Sequence, residues 1–142
     1  MLGFLYAAIA GAAMSVQGVM NTRLGDRIGL YETNAYVQLT GFILSAMLAI
    51  FLGKGNLTQF GQAPWYAWLG GVLAPVITVT VMLSIADLSP TVAISAILLS
   101  QLAVAALIDA FGIMGSERIA FSWQKLLGLA LMSGGVLLLK LK

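Results

Sequence analysis

The chain has 142 residues, of which 61% are hydrophobic and 8% are charged. Its mean hydropathy is +1.01, which excludes a soluble enzyme. Seven basic and five acidic residues are too few and too scattered for a nucleic-acid-binding surface. Because the chain has neither Cys nor His, disulfides, thiolate or imidazole zinc sites and imidazole catalysis are excluded. We therefore expect no catalytic residue, no metal and no cofactor.

Five long apolar segments fill most of the chain and predict five transmembrane helices. About 20 apolar residues are needed to cross a hydrocarbon core of about 30 Å. The segments cover about residues 2–21, 33–53, 65–86, 91–112 and 123–139, separated by short polar or turn-rich stretches. The expected fold class is therefore an all-α membrane protein, with residues 1–142 forming a single five-helix transmembrane domain.

Small residues recur at every fourth position of the first segment. They are Gly3, Ala7, Gly11 and Ser15. This spacing aligns them in one stripe along the helix, where small side chains let two backbones approach closely in lipid. The fifth segment has a similar set: Gly128, Ala130, Gly134 and Gly135. Both stripes predict helix packing, with a partner either in the same chain or in a second copy.

Glutamines are the main polar side chains inside the predicted helices. Gln17 and Gln38 lie at similar depth in the first and second segments, so their amides are expected to meet across the two helices. Gln101 lies near the middle of the fourth segment. Polar groups in hydrocarbon are costly without partners, so these amides either bind a solute or form hydrogen bonds that hold helices together.

Pro75 lies inside the third segment, a turn after Gly70 and Gly71. Proline removes one helical hydrogen bond and usually kinks a helix. Transporters use interrupted helices near the midplane to expose backbone groups to a substrate. We expect a bend here, with packing against neighbouring helices as the alternative explanation of the proline.

Asp109 is the acidic residue farthest from a predicted loop, about one turn inside the end of the fourth segment. Two roles stay open for it, a coupling-proton carrier and an interfacial anchor or ion pair, with Arg118 as the nearest expected counter-ion. Four other acids are expected to be solvated at helix ends: Asp26, Glu32, Asp87 and Glu117. The aromatic residues Trp65, Tyr66, Trp68 and Trp123 predict an interfacial belt.

The basic residues divide almost evenly between the two faces of the five-helix arrangement. One face receives Lys54, Arg118 and Lys125, and the other receives Arg23, Arg27, Lys140 and Lys142. A difference of one basic residue barely biases the orientation of short loops. We therefore expect insertion in both orientations and pairing with an inverted copy, which gives a ten-helix antiparallel homodimer. A single orientation, fixed by the small bias, is the alternative.

The sequence resembles the drug/metabolite transporter superfamily, most closely its half-length, five-helix YdcZ-type branch. The resemblance spans nearly the whole chain and rests on four stretches: Gln17, Asn21 and Leu24; Pro64-Trp65 and Gly70-Gly71; Gln101, Ile108-Asp109 and Phe111-Gly112; Gly128-Leu129 and Gly134-Gly135-Val136. It implies a secondary transporter in the bacterial inner membrane, in which two oppositely oriented five-helix units form one carrier.

These patterns together predict a transporter of a small organic metabolite or drug that works by alternating access, with efflux as the expected direction. The expected substrate-binding residues are Gln17, Thr78, Ser95 and Gln101, whose side chains hydrogen-bond neutral or zwitterionic solutes. The expected partners are the lipid bilayer, an antiparallel copy and the solute. A passive dual-topology channel and a non-transporting membrane subunit are the two alternatives.

Overall fold

A computed structural model describes residues 1–141, and every regular element within them is helical. Lys142, counted above among the basic residues of one face, lies outside the described residues. The helices are α1 (Leu2–Ile28), α2 (Leu30–Leu52), α3 (Gly70–Asp87), α4 (Pro90–Phe111) and α5 (Trp123–Lys140), with short 3-10 helices at Leu57–Gln62, Trp65–Leu69 and Ile113–Gly115. The all-helical prediction is confirmed for this part of the chain.

The chain divides into two compact units, and the division falls inside α3. The first unit, Met1–Leu83, contains α1, α2 and most of α3. The second begins at Ser84 and contains α4 and α5. In the first unit α1 packs against α2, and in the second α4 packs against α5. Each unit is therefore built on one pair of sequence-adjacent helices.

Four stretches among the described residues are long and apolar enough to cross a membrane: Leu2–Ile28, Leu30–Leu52, Trp65–Asp87 and Pro90–Phe111. Only 0 to 11% of the residues in their apolar windows are buried, so most of their surface must face lipid or another chain. Helix α5 has 18 residues, and Gln124, Lys125 and Lys140 near its ends lower its hydropathy. A fifth span therefore stays a prediction.

The first helix is longer than the sequence indicated. It was expected to end near Asn21, but α1 continues through the polar stretch to Ile28. The residues from Asn21 to Arg27 include no proline, and their polar side chains lower helix propensity only modestly. Their polarity marks where the apolar segment ends, whereas the helix itself ends at the next residue with an unusual backbone.

That residue is Gly29, the only residue between α1 and α2. Its φ of 103° and ψ of 154° lie in a region that is essentially restricted to glycine. Its N–H donates to Gly25 O at 3.0 Å, and its carbonyl accepts from Thr33 N–H at 3.1 Å. Gly29 therefore terminates one helix and starts the next, which produces a tight hairpin.

Helix α3 packs on this hairpin near its closed end. A Cβ added at Gly25 would lie 2.7 Å from Met82 Cε and 3.9 Å from Thr33 Oγ1. Met82 is 2% exposed and Thr33 is fully buried, with no hydrogen-bond partner for its Oγ1 among residues 1–141. A Cβ at position 25 would therefore require the Met82 methyl group, the far end of a flexible side chain, to shift.

Gln38 joins α2 to α3. Its Nε2 donates to Thr78 Oγ1 at 3.2 Å and to Asn34 Oδ1 at 3.4 Å. The expected pair between Gln17 and Gln38 is wrong, because the Gln38 amide bonds toward α3 whereas Gln17 lies on α1. Equal depth along two helices did not imply that the two side chains face each other.

Helix α3 begins after a 3-10 segment, Trp65–Leu69, so the change of helix type lies between Leu69 and Gly70. The α-helix then continues through Pro75. The predicted bend at Pro75 stays a prediction, whereas the observed irregularity is one turn earlier.

The rings of Phe60 and Trp68 stack with their centroids 5.3 Å apart, and Trp65 and Trp68 are well exposed, as residues of an interfacial belt are expected to be.

The loop after α4 folds back onto the end of that helix. Gly112 adopts a left-handed conformation at the C-cap, and its N–H donates to Ile108 O. The guanidinium Nε of Arg118 donates to Ala110 O at 3.2 Å, and Ile119 N–H donates to Asp109 O at 2.8 Å. The otherwise unpaired carbonyls at this helix end are thus satisfied by the following loop.

Replacing Gly29 by Ala should destabilise the first unit, because a Cβ is disfavoured at this backbone conformation. We expect Gly29→Ala to lower the free energy of unfolding by about 1–3 kcal/mol, measured by denaturant titration in detergent micelles. Gly55→Ala is the matched control, since Gly55 has no positive φ and an added Cβ there meets nothing within 4 Å. Equal stability of the two variants would contradict the assigned role of Gly29.

The bond between Gln38 and Thr78 should appear as coupling in a double-mutant cycle. We expect Gln38→Leu and Thr78→Val to be non-additive by about 0.6–1.7 kcal/mol, the range measured for hydrogen bonds between membrane helices. The free energy of unfolding in micelles is the measurement. A cycle of Gln38→Leu with Thr80→Val provides the control, because the Thr80 hydroxyl bonds to its own helix at Val76 O. Additive Gln38 and Thr78 effects would show that the bond contributes nothing.

Candidate functional site

An open groove with a volume of about 530 Å3 lies between α1 and α2, and we call it the α1–α2 cavity. Its lining residues are Gln17, Met20, Asn21, Leu24, Tyr36, Val37, Thr40, Gly41 and Leu44. On α1 they follow the spacing i, i+3, i+4 and i+7, so they form one continuous helix face. The volume falls in the range of cavities that bind small molecules.

Two amides and two hydroxyl-bearing side chains are the polar groups that line this cavity. Gln17 and Asn21 lie one turn apart on α1, as do Tyr36 and Thr40 on α2. The Thr40 hydroxyl donates within its own helix, to Tyr36 O at 3.0 Å and Val37 O at 3.1 Å. Within residues 1–141 no side chain bonds to the amide of Gln17, which is exposed, or to that of Asn21, which is 9% exposed. An amide can both donate and accept hydrogen bonds.

The cavity extends from the polar end of the hairpin toward the centre of the bilayer. Thr40, the lining residue on α2 with a hydroxyl farthest from Glu32, lies eight residues beyond it, or about 12 Å along α2 at 1.5 Å per residue. Half of the hydrocarbon core is about 15 Å thick. The cavity therefore offers hydrogen-bonding groups at depths where lipid offers none.

No charged side chain lines the α1–α2 cavity within the described residues. The closest charges along α1 are Arg23 and Asp26, whose side chains are exposed and 3.8 Å apart. An exposed pair at this distance contributes little to stability. The four acids expected to be solvated, Asp26, Glu32, Asp87 and Glu117, are exposed in the described chain. The cavity is thus suited to neutral or zwitterionic solutes rather than to a bare ion.

Of the predicted substrate-binding residues, Gln17 lines this cavity and Thr78 does not. The Thr78 hydroxyl donates to Ala74 O at 3.0 Å and accepts from Gln38. On α4, the Ser95 hydroxyl donates to Thr91 O at 2.7 Å, whereas the Gln101 side chain is exposed. Six residues separate Ser95 from Gln101, which places them about 120° apart around the helix. The hydroxyls are satisfied locally, but the amides of Gln17 and Gln101 are not.

A second concave surface lies between α4 and α5, and we call it the α4–α5 cleft. It has a volume of about 270 Å3 and is lined by Leu102, Ala105, Ala106, Asp109, Lys125, Gly128, Leu129 and Met132. Lys125 Nζ lies 3.1 Å from Asp109 Oδ2, with the two side chains 32% and 40% exposed. The expectation that Arg118 is the counter-ion of Asp109 was therefore wrong. Arg118 bonds to Ala110 O, and Lys125 forms the ion pair with Asp109.

Sequence reasoning missed Tyr36, Thr40 and Lys125, and it noticed Asn21 only as part of a resemblance. A helical-wheel argument would have found three of them. Gln17 with Asn21, and Tyr36 with Thr40, are each four residues apart and must share a helix face. Lys125 had no comparable signal, because its contact with Asp109 depends on how α5 packs on α4.

The small-residue stripes have little packing around them in the described chain. A Cβ built at Gly3, Gly11, Gly128 or Gly134 would meet no atom of residues 1–141 within 4 Å. Ala7 is exposed, and the Ser15 hydroxyl donates to Gly11 O at 3.0 Å. The predicted helix packing at these residues stays a prediction.

Residues 1–141 contain no group of three or more Asp, Glu, His or Cys side chains placed to hold a metal.

Comparison with known proteins identifies a family. Residues 2–138 match the model of a family described as "Putative inner membrane exporter, YdcZ", a branch of the drug/metabolite transporters. Curated proteins and solved structures gave no match. The family match covers both helix pairs, and the four apolar stretches agree with a multi-pass inner-membrane protein. The chain therefore belongs to the YdcZ family of inner-membrane transporters.

Proposed function

We propose that this protein exports a neutral or zwitterionic small organic solute across the inner membrane by alternating access, as an antiparallel homodimer. The observation that carries the proposal is the α1–α2 cavity. It presents two amides, Gln17 and Asn21, to which no side chain of residues 1–141 bonds. The family description supports transport in general.

The chemistry of the cavity supports the solute class. Amide groups both donate and accept hydrogen bonds, and the Tyr36 ring adds an aromatic surface for a planar or apolar part of the solute. A bare cation would lie in a low-dielectric cavity without an opposing charge, which is unfavourable. The solute therefore carries hydrogen-bonding groups and no net charge.

The proposal of an inverted dimer rests on charge balance and on exposed helix surface. The basic residues divide three to four between the two faces, so neither orientation is strongly preferred. The four apolar stretches bury at most 11% of their apolar windows, which leaves ample surface for a second copy. An inverted pair related by a twofold axis in the membrane plane has two equivalent states, one open to each side.

The proposal also requires that α5 crosses the membrane. Its 18 residues span about 27 Å, close to the hydrocarbon thickness of about 30 Å. Lys125 near its start and Lys140 at its end are long side chains that can extend to the interfaces. Five spans place the two termini on opposite faces, whereas four place them on the same face.

Removing a cavity amide should abolish solute binding and transport, because leucine keeps the side-chain bulk and loses the hydrogen bonds. A thermal-shift screen of wild-type protein against metabolite and drug libraries first identifies a ligand, and uptake into proteoliposomes then measures transport. We expect Gln17→Leu and Asn21→Leu to lose both the shift and the uptake. Gln101→Leu should lose uptake as well, since its amide also lacks a protein partner within residues 1–141.

Gln124→Leu is the matched control, because Gln124 is exposed on α5 and lies outside both concave surfaces. It should retain ligand binding and uptake. Full uptake by both Gln17→Leu and Asn21→Leu would exclude the α1–α2 cavity as the transport site. Uptake without counterflow or saturation would indicate a passive channel instead of a carrier.

Forcing every copy of the chain into one orientation should prevent the proposed antiparallel pairing. Four lysines in the Lys54 loop, at Leu57, Gln59, Gly61 and Gln62, change the basic count of the two faces from three against four to seven against four. Ile28→Lys with Leu141→Lys changes it to three against six, and all six positions are exposed. We expect each of the two variants alone to be inactive and their co-expression to restore uptake. Single cysteines at position 2 and at the C-terminus, introduced into this cysteine-free chain, should label from opposite faces in each variant.

Full uptake by either forced variant alone would contradict the antiparallel arrangement. Labelling of both termini from the same face would contradict the fifth span. The two results are independent, since a four-span chain can still insert in two orientations.

A further inference from the structure

The α4–α5 cleft is apolar along its length and ionic at one end. Its α4 side follows i, i+3, i+4 and i+7 from Leu102 to Asp109, and its α5 side follows the same spacing from Lys125 to Met132. Asp109 and Lys125 face each other at the same end of the two helices. Every other lining residue is apolar or glycine.

Gly128 gives the cleft its depth. A Cβ built at Gly128 meets no atom within 4 Å among residues 1–141, so the space next to it is open. Ala105 and Ala106 on the facing helix are also small. The small side chains therefore leave an open apolar channel between α4 and α5 beside Gly128.

The ionic end lies where the membrane interface is expected. Asp109 is two residues before the end of α4, and Lys125 is two residues after Trp123 at the start of α5. Tryptophan at a helix end favours the headgroup level. From Asp109 the cleft extends about 10 Å toward the bilayer centre, since Leu102 is seven residues earlier.

We propose that the α4–α5 cleft binds a zwitterionic phospholipid of the surrounding leaflet. Its phosphate contacts Lys125, its amine contacts Asp109, and one acyl chain lies in the channel beside Gly128. The polar end is outermost and the apolar channel points inward, which is the orientation that a bilayer lipid already has. This site is separate from the α1–α2 cavity and does not depend on the proposed transport function.

The charges of the cleft favour a zwitterion over a singly charged lipid. Lys125 and Asp109 sum to zero, and a headgroup that carries both signs replaces their mutual contact with two new ones. An anionic headgroup would pair with Lys125 and leave Asp109 without a counter-ion at the edge of the hydrocarbon. Partly exposed ion pairs are weak, so the Asp109–Lys125 pair can open to accept the headgroup.

The proposal is tested by native mass spectrometry of the purified chain with lipids of identical acyl chains. We expect phosphatidylethanolamine to bind about tenfold more tightly than phosphatidylglycerol or diacylglycerol, which lack the amine or the whole headgroup. This comparison needs no variant, so it stays informative if variants fold poorly. Equal affinity for the three lipids would overturn the proposal.

Variants then locate the lipid. Gly128→Leu fills the channel, and Asp109→Asn and Lys125→Gln each remove one headgroup contact, so all three should lose the preference for phosphatidylethanolamine. Gly134→Leu and Lys140→Gln are matched controls on the same helix, outside the cleft, and should retain it. Unchanged lipid affinity in Gly128→Leu would exclude this cleft as the site.

Two other occupants would also overturn the proposal and give different results. If a second copy covers the cleft, Gly128→Leu lowers the dimer fraction in the same spectra and lipid preference is unaffected. If the transported solute occupies it, the ligand from the thermal-shift screen displaces phosphatidylethanolamine. Failure of the lipid assay leaves the transport proposal intact, because that proposal rests on Gln17 and Asn21.

Discussion

Hydrocarbon offers no hydrogen bonds, and this constraint divides the polar residues of the chain into two groups. Serine and threonine hydroxyls are short enough to bond to the carbonyl four residues earlier, and those of Ser15, Thr22, Thr78, Ser95 and Ser133 do so. The longer amides of Gln17 and Gln101 cannot be satisfied in this way. The hydroxyls therefore have few hydrogen bonds left to offer. The amides of Gln17 and Gln101 are the groups available for a solute or a second chain.

The two helix pairs share one geometry and differ in chemistry. Each is lined along i, i+3, i+4 and i+7 rows, which is the face that two packed helices present to the space between them. Between α1 and α2 the row carries uncharged polar groups. Between α4 and α5 it carries hydrocarbon with an ion pair at one end. The same architecture thus offers one surface suited to solutes and another suited to amphiphiles.

Sequence reasoning predicted what depends on composition and missed what depends on rotation about a helix axis. The apolar segments located all five α-helices, because 20 apolar residues in a row have few other stable arrangements. The end of α1 was misplaced, since polarity at Asn21 to Arg27 reports depth in the membrane rather than helix termination. Gln17 and Gln38 share a depth but not a facing direction. The partner of Asp109 depended on the loop around Arg118, whose fold no periodicity encodes.

The single-residue connection at Gly29 has a mechanical consequence. Two helices joined by one residue have almost no slack, so α1 and α2 cannot slide past each other by even a turn without breaking hydrogen bonds at Gly25 or Thr33. The hairpin is therefore a stiff element that carries its cavity with it. Segments 53–64 and 112–122 are longer and contain irregular backbone. A change in access to the α1–α2 cavity therefore cannot come from α1 sliding along α2, because the hydrogen bonds at Gly29 hold the two helices in register.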